Sequence, residues 1–167
     1  DSKSHFLLCS ALRARQQLKQ AAVSCNNAVR EQPRYPEAYH LLGMIYLELE
    51  HSDYALIAFK EVIKLQPRAQ SAWFNVGISE TNRGRTLEAI DAYKRALDLG
   101  PDQGAIHLNL GALYDELEDG SQAIHFTRQA KQRFADRQEW RQVSRAERNL
   151  QHYMKKYWGL SGKKALF

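Results

Sequence analysis

The sequence predicts an all-α chain, a stack of helical hairpins (an α-solenoid) closed by one amphipathic helix. Three observations predict it: residues that recur at a fixed interval, a scarcity of chain breakers, and a final stretch whose apolar and basic side chains segregate at helical spacing. In 167 residues there are 9 Gly and 4 Pro, too few for the many tight corners of an all-β fold. The chain is long enough to bury a core without metals or disulfides, and its 44% apolar and 26% charged residues match a soluble globular composition. No run of about 18 apolar residues offers a bilayer span, and no basic-then-apolar leader opens the chain. Because it begins at Asp1 and not at a Met, the chain is expected to be a processed or excised piece.

The interval is 34 residues. Pro33, Pro67 and Pro101 are separated by it, as are Gly43, Gly77 and Gly111, and Ala21, Ala55, Ala89 and Ala123 carry it through four copies. Aromatic residues keep step, with Tyr39 and Trp73, Tyr46 and Tyr114, and Phe59 and Tyr93 in matching places. Within one copy Tyr39, Leu42, Gly43 and Tyr46 share one helical face, and Ala55, Phe59, Val62 and Ile63 share another. Each copy is therefore a hairpin of two helices, with Gly43 and Ala55 where the two backbones approach closely. Ser52, Thr86 and Ser121 are the expected N-caps of second helices, and each Pro ends a second helix. One hairpin cannot bury both faces, so neighbours must stack and the ends need polar caps.

The copies run from 36 to 69, 70 to 103 and 104 to 137, after a degenerate one over 2–35, so the array spans 2–137. The last copy departs from the pattern, with Ala135 in the Pro position and Thr127 in the aromatic slot. Beyond it, residues 138–158 are expected to form the capping helix. Trp140, Val143, Leu150, Met154 and Tyr157 fall on one side at helical spacing, and Arg137, Arg141, Arg145, Arg148 and Lys155 on the other. Residues 159–167 are expected to be a flexible tail.

The order Trp/Tyr, Leu-Gly, Tyr, Ala, aromatic, Ala, Pro at this period resembles the tetratricopeptide repeat family. It is carried by Tyr39, Leu42, Gly43, Tyr46, Ala55, Phe59 and Pro67, by Trp73, Gly77, Ala89, Tyr93, Ala96 and Pro101, and by Leu110, Gly111, Tyr114, Ala123 and Ala130. The resemblance implies a right-handed array whose first helices line a concave surface that holds a peptide of a partner protein. Projected onto this chain, that surface carries Phe6, Ser10 and Arg13, then His40, Met44 and Leu47, then Phe74, Ile78 and Thr81, then Leu108, Ala112 and Asp115. One mode of the family clamps the C-terminal carboxylate of heat-shock chaperones with Lys, Arg and Asn. Here His40, Met44, Phe74, Ile78 and Leu108 fill those slots, which disfavours that mode. A buried apolar anchor contributes roughly 1.5–3 kcal/mol, against at most about 1 kcal/mol for an exposed ion pair, so apolar segments are the expected cargo. Asn75 and Asn109, 34 apart, resemble the asparagine ladder by which some members grip a peptide backbone; bonding to a neighbouring turn is the equal alternative.

Cys9 and Cys25 occupy the slots of Gly43 and Phe59 one interval earlier, where paired helices touch. The expectation is two buried thiols acting as small apolar fillers. A bridge there would imply an oxidising compartment such as a periplasm, and otherwise the chain is expected to be soluble and cytoplasmic, with no compartment named by the sequence. The six histidines form no metal-ligand pair, and no phosphate loop, GxSxG or HExxH motif is present, so no cofactor, metal, catalytic residue or small-molecule substrate is expected. His40 alone among the histidines is expected on the binding face.

The net charge of +5 is uneven. Residues 128–167 carry 11 Lys or Arg against 3 Asp or Glu, whereas residues 1–127 carry 13 against 16. The basic helix face is expected to be a solvated surface first, a dock for an acidic partner second, and a nucleic-acid or membrane-surface contact last. The function expected is a non-catalytic adaptor for a partner's peptide or helical segment within an assembly. The alternatives are a targeting or regulatory module of a larger enzyme, and a nucleic-acid or membrane binder working through the last helix.

Overall fold

A computed structural model describes residues 1–101 and 103–159. Among them the chain forms helices only, and it divides into two compact units, Asp1–Leu99 and Gly100–Phe167. The division places the copy over 104–137 with the final helix, where the sequence suggested one array followed by a cap. The tail expected over 159–167 lies outside the described residues from 160 onward.

The first unit holds α1 (Ser2–Ala14), α2 (Leu18–Glu31), α3 (Pro36–Glu48), α4 (Ser52–Leu65), α5 (Gln70–Asn82) and α6 (Thr86–Leu99). The pairs α1/α2, α3/α4 and α5/α6 are the hairpins. Every second helix ends two residues before a repeat proline, because proline bars the preceding residue from helical geometry. The turn inside each hairpin has a stricter rule. Gln16, Glu50 and Gly84 adopt positive φ of 60°, 61° and 69°. In each case the next amide, on Gln17, His51 or Arg85, bonds back to the carbonyl of Leu12, Tyr46 or Glu80. This is the Schellman closure of a helix end, and glycine, the residue that adopts it without steric cost, supplies it at Gly84.

The hairpins close on a contact between a small residue and a large one. A Cβ on Gly43 would lie 2.7 Å from the Phe59 ring, and one on Gly77 2.6 Å from the Tyr93 ring. Both rings are almost wholly buried. In the first hairpin the matching slots are joined covalently: Cys9 and Cys25 form a disulfide with Cα atoms 5.3 Å apart, fully buried. The expectation of two free thiols is thus corrected. Each cysteine stands where the repeat brings helices closest, which is the separation a disulfide needs. Between hairpins the α2 residues Ala21 and Ala22 pack with Leu42 and Ile45 of α3, and Phe59 of α4 packs with Val76 of α5. Arg83 reaches Glu80 at 2.7 Å and Asp53 at 2.6 Å, which compensates the buried Glu80 carboxylate.

The second unit holds α7 (Gly104–Glu116), α8 (Gly120–Asp136) and α9 (Trp140–Trp158). Without a proline to stop it, α8 runs to 17 residues where α2, α4 and α6 have 14. Glu118 and Gln138 repeat the positive-φ closure at both turns. The hairpin contact shrinks to Gly111 against Thr127, whose hydroxyl donates to the Ala123 carbonyl at 2.7 Å. The expected serine caps are not the caps: Ser52 is the first residue of α4, Ser121 lies inside α8, and Asp119 caps α8 by accepting from the Gln122 amide at 3.0 Å. Asp is preferred there for its carboxylate acceptor and its charge at the positive helix end.

Two measurements check this account. Gly43→Ala should destabilise the protein by about 2 kcal/mol through overpacking against Phe59, while Glu118→Gly, which relieves a left-handed non-glycine residue, should add about 1 kcal/mol; chemical denaturation reads both. Reducing Cys9–Cys25, which closes a 16-residue separation, should cost about 3 kcal/mol, and intact mass before and after reductant establishes the bond.

Candidate functional site: a cavity on the first helices

In the first unit the first helices α1 and α3 lie side by side, and a cavity of about 410 Å³ opens between them and the start of α5. Phe6, Ser10 and Arg13 of α1 face His40 and Met44 of α3 across it. These are five of the residues projected from the repeat. The projection used first helices only and therefore missed Val62 and Gln66 at the end of α4 and Ala69 in the turn into α5; with Ser71, in the first turn of α5, they close the far wall. Pro36, Glu37 and Leu41 of α3 complete it.

The walls are held in place from behind. Phe6 leans on Tyr35 with ring centroids 5.1 Å apart, and His40 meets the Phe59 edge at 5.6 Å. Met44 also packs against the cluster of Ala55, Leu56 and Phe59, so it is half wall and half core. The Arg13 guanidinium donates to Glu48 at 2.7 Å, and both residues line a second cavity of about 310 Å³ that shares Ser10, Arg13 and Leu41 with the first. Arg13 thus enters the site with its charge already countered.

The His40 imidazole has a displaced pKa. Burial lowers it from the usual imidazole value, and the Arg13 charge lowers it further. Asn75 Nδ2 lies 3.3 Å from His40 Nε2. An amide NH₂ can only donate, so Nε2 must accept, which requires the neutral ring. This corrects the ladder reading of Asn75: its side chain is buried and turned onto His40 and Met44 Sδ, one interval and one residue back. That spacing was readable in the sequence, but the partner's identity depended on how the two helices are rotated.

Other projected residues fall elsewhere. Leu47 packs onto the Phe59 cluster. Phe74 leans on Tyr93 at 5.7 Å, and Ile78 is half-buried. In the second unit, Leu108 is a core residue, clustered with Phe134 of α8 and with Val143 and Ala146 of α9. Asp115 is equally taken. Burial pushes its carboxyl up, but bonds from Lys156 Nζ at 2.8 Å and Tyr157 Oη at 2.7 Å outweigh this and hold it below the usual carboxylate range. The residues expected to meet a partner there meet α9 instead. Ala112 is exposed and Asn109 half-buried.

The basic side chains Arg137, Arg141, Arg145, Arg148 and Lys155 are all exposed. Val143, Leu150 and Met154 are buried against α7 and α8, and Tyr157 fits over Gly120, where a Cβ would come within 2.5 Å of its ring. Trp140 does not join them: it is 62% exposed, because the apolar arc of α9 is centred away from it. Among the described residues no group of His, Cys, Asp and Glu could hold a metal ion, and no helix is long and apolar enough to cross a membrane.

Models of the tetratricopeptide repeat match residues 40–104 and 82–146. The chain is similar to anaphase-promoting complex subunit 3 of Schizosaccharomyces pombe, 23% identical over 74% of this chain and 19% of that protein. It is also similar to the peroxisomal targeting signal receptor of Saccharomyces cerevisiae, 32% identical over 45% of this chain and 12% of the receptor. It spans about a fifth or less of the length of these relatives. Among solved structures, residues 41 to the end of MamA from Desulfovibrio magneticus RS-1 superpose with a TM-score of 0.77 at 18% identity, covering 81% of this chain and 77% of that one, a likeness of fold.

The His40–Asn75 pair has a pH signature. A base whose folded pKa is lowered takes up its proton more readily unfolded, so its contribution is complete above the unfolded value of about 6.5 and falls away as pH drops through the folded value. Stability should therefore decline as pH falls below about 6.5, and His40→Gln, which cannot be protonated, should flatten that slope in thermal melts.

Proposed function

Because this chain belongs to the tetratricopeptide repeat family, we propose that it acts as a non-catalytic interaction scaffold that holds a segment of a partner protein in the cavity between α1, α3 and the start of α5. The observation that carries this reading is the cavity itself, walled by Phe6 and Met44 and bordered by Ser10, Gln66 and Ser71. An apolar side chain entering it leaves water on most sides, which favours binding by about 1.5–3 kcal/mol. The polar border offers donors and acceptors to the backbone of an extended segment, so the anchor gives affinity and the border gives orientation. Arg13, paired to Glu48, and neutral His40 present no uncompensated charge, which disfavours an acidic anchor.

The names of the relatives agree with such a role: one is a subunit of a complex, and another is a receptor for a targeting signal. Their greater length also supports a second reading, in which these repeats are the recruiting module of a longer protein. Binding is placement in either case, with specificity set by which side chain fits between Phe6 and Met44.

A pull-down tests the site. Phe6→Asp and Met44→Asp should each reduce capture of a partner segment by at least roughly tenfold, with helicity by circular dichroism confirming the fold. Capture that survives both substitutions would remove the cavity as the binding site, and survival with loss in a Phe74→Asp, Ile78→Asp variant would move it along α5.

A further inference from the structure

The outward face of α9 has a composition that its role as a packing helix does not explain. At about 100° per residue, the buried side chains Val143, Ala146, Leu150, Tyr153 and Met154 occupy one arc. The opposite arc holds Arg141, Arg145, Arg148 and Lys155, all exposed, and no carboxylate. The helix's one acidic residue, Glu147, lies outside that arc and is held by Lys131 of α8 at 3.0 Å. Lys156 is likewise turned to Asp115. The four remaining cations therefore form a strip of one sign.

Along one edge of that strip stand Trp140 and Trp158, 62% and 47% exposed. Their numbers differ by five full helical turns, so they share one line on the helix, about 27 Å apart. Arg128 covers one side of Trp158 at 5.9 Å and leaves it accessible. Two exposed indoles along a cationic strip are costly in water.

We propose that this face of α9 docks on an anionic lipid surface. A flat charged surface is the partner that engages every element of the strip at once. Anionic headgroups attract the Arg and Lys side chains, and the two indoles, aligned and level, enter the headgroup region that Trp favours. The helix lies on the surface by its polar face, since its apolar face is committed to α7 and α8. A nucleic-acid duplex or an acidic peptide would meet the cations but leave the line of indoles unused. This docking uses no residue of the cavity on α1 and α3.

The test is co-sedimentation of the full chain with vesicles of phosphatidylcholine alone and of equal parts phosphatidylcholine and phosphatidylserine. Binding to the anionic vesicles only, weakening from about 0.1 M to 0.5 M salt, is expected. R141E/R145E/R148E should weaken it by roughly 100-fold or more, and W140A/W158A by roughly tenfold with the charges intact. Brominated lipid should quench the emission of the wild type and not that of W140A/W158A. Both variants alter exposed residues, and unchanged melting curves exclude unfolding as the cause. The proposal fails if anionic vesicles are not bound at about 0.1 M salt, if W140A/W158A binds as the wild type does, or if duplex DNA or polyglutamate displaces the vesicles and is bound more tightly.

Discussion

The close approach of two helices at one small residue sets the geometry of this protein. Where α3 meets α4 the missing Cβ of Gly43 makes room for Phe59, and where α5 meets α6 Gly77 makes room for Tyr93. The ring fills the gap between backbones that a pair of larger side chains would hold apart. With that distance fixed, the first helices are brought side by side at a set spacing, and the cavity between α1 and α3 follows from it. The first hairpin meets the same constraint by covalent means, with Cys9 and Cys25 in the two slots. The α7/α8 hairpin meets it with the smallest pair, Gly111 and Thr127. These are three chemistries for one separation.

The second unit shows what closes a stack of amphipathic hairpins. The surface of α7 and α8 that a further hairpin would cover is covered by α9, which brings Val143, Ala146 and Leu150 to Leu108, Phe134 and Ile124. Its C-terminal end is fastened by polar contacts, with Lys156 and Tyr157 converging on Asp115. Hydrogen bonds to the ionised carboxylate outweigh the cost of its partial burial, so the fastening is strongest where Asp115 is charged. An α9 committed inward on one side then presents its cations and both indoles outward, and packing and presentation become two consequences of one helix orientation.

Much of the fold was legible in the sequence because a repeat writes the same constraint several times. Pro33, Pro67 and Pro101 marked helix ends, and Gly43, Gly77 and Gly111 marked close contacts, since each of these residues has a backbone property that no other residue type supplies. The turns were less legible. Gln16, Glu50 and Glu118 hold the conformation that Gly84 holds, and nothing about Gln or Glu announces positive φ. The caps were misjudged for a related reason: Ser52 and Ser121 have the right chemistry but stand one and two residues beyond the capping positions, His51 and Asp119. For the cavity, Phe6, Arg13, His40 and Met44 could be projected from helical period, but Gln66 and Ala69 could not, because they lie in the turn between α4 and α5, which the period does not describe.

What the sequence by itself determined is the set of hairpins, their order and the family, because these depend on local periodicity and on a 34-residue step that no alternative fold would preserve. What only the tertiary structure decided is which equivalent residue faces what. Leu108 and His40 hold the same place two copies apart, yet α9 buries the first, while burial beside Arg13 lowers the pKa of the second and Asn75 bonds its ring. Cys9 and Cys25 could have been fillers, and Trp140 could have been core. Each outcome is set by the summed packing of neighbouring helices, a property that belongs to no single segment of the chain.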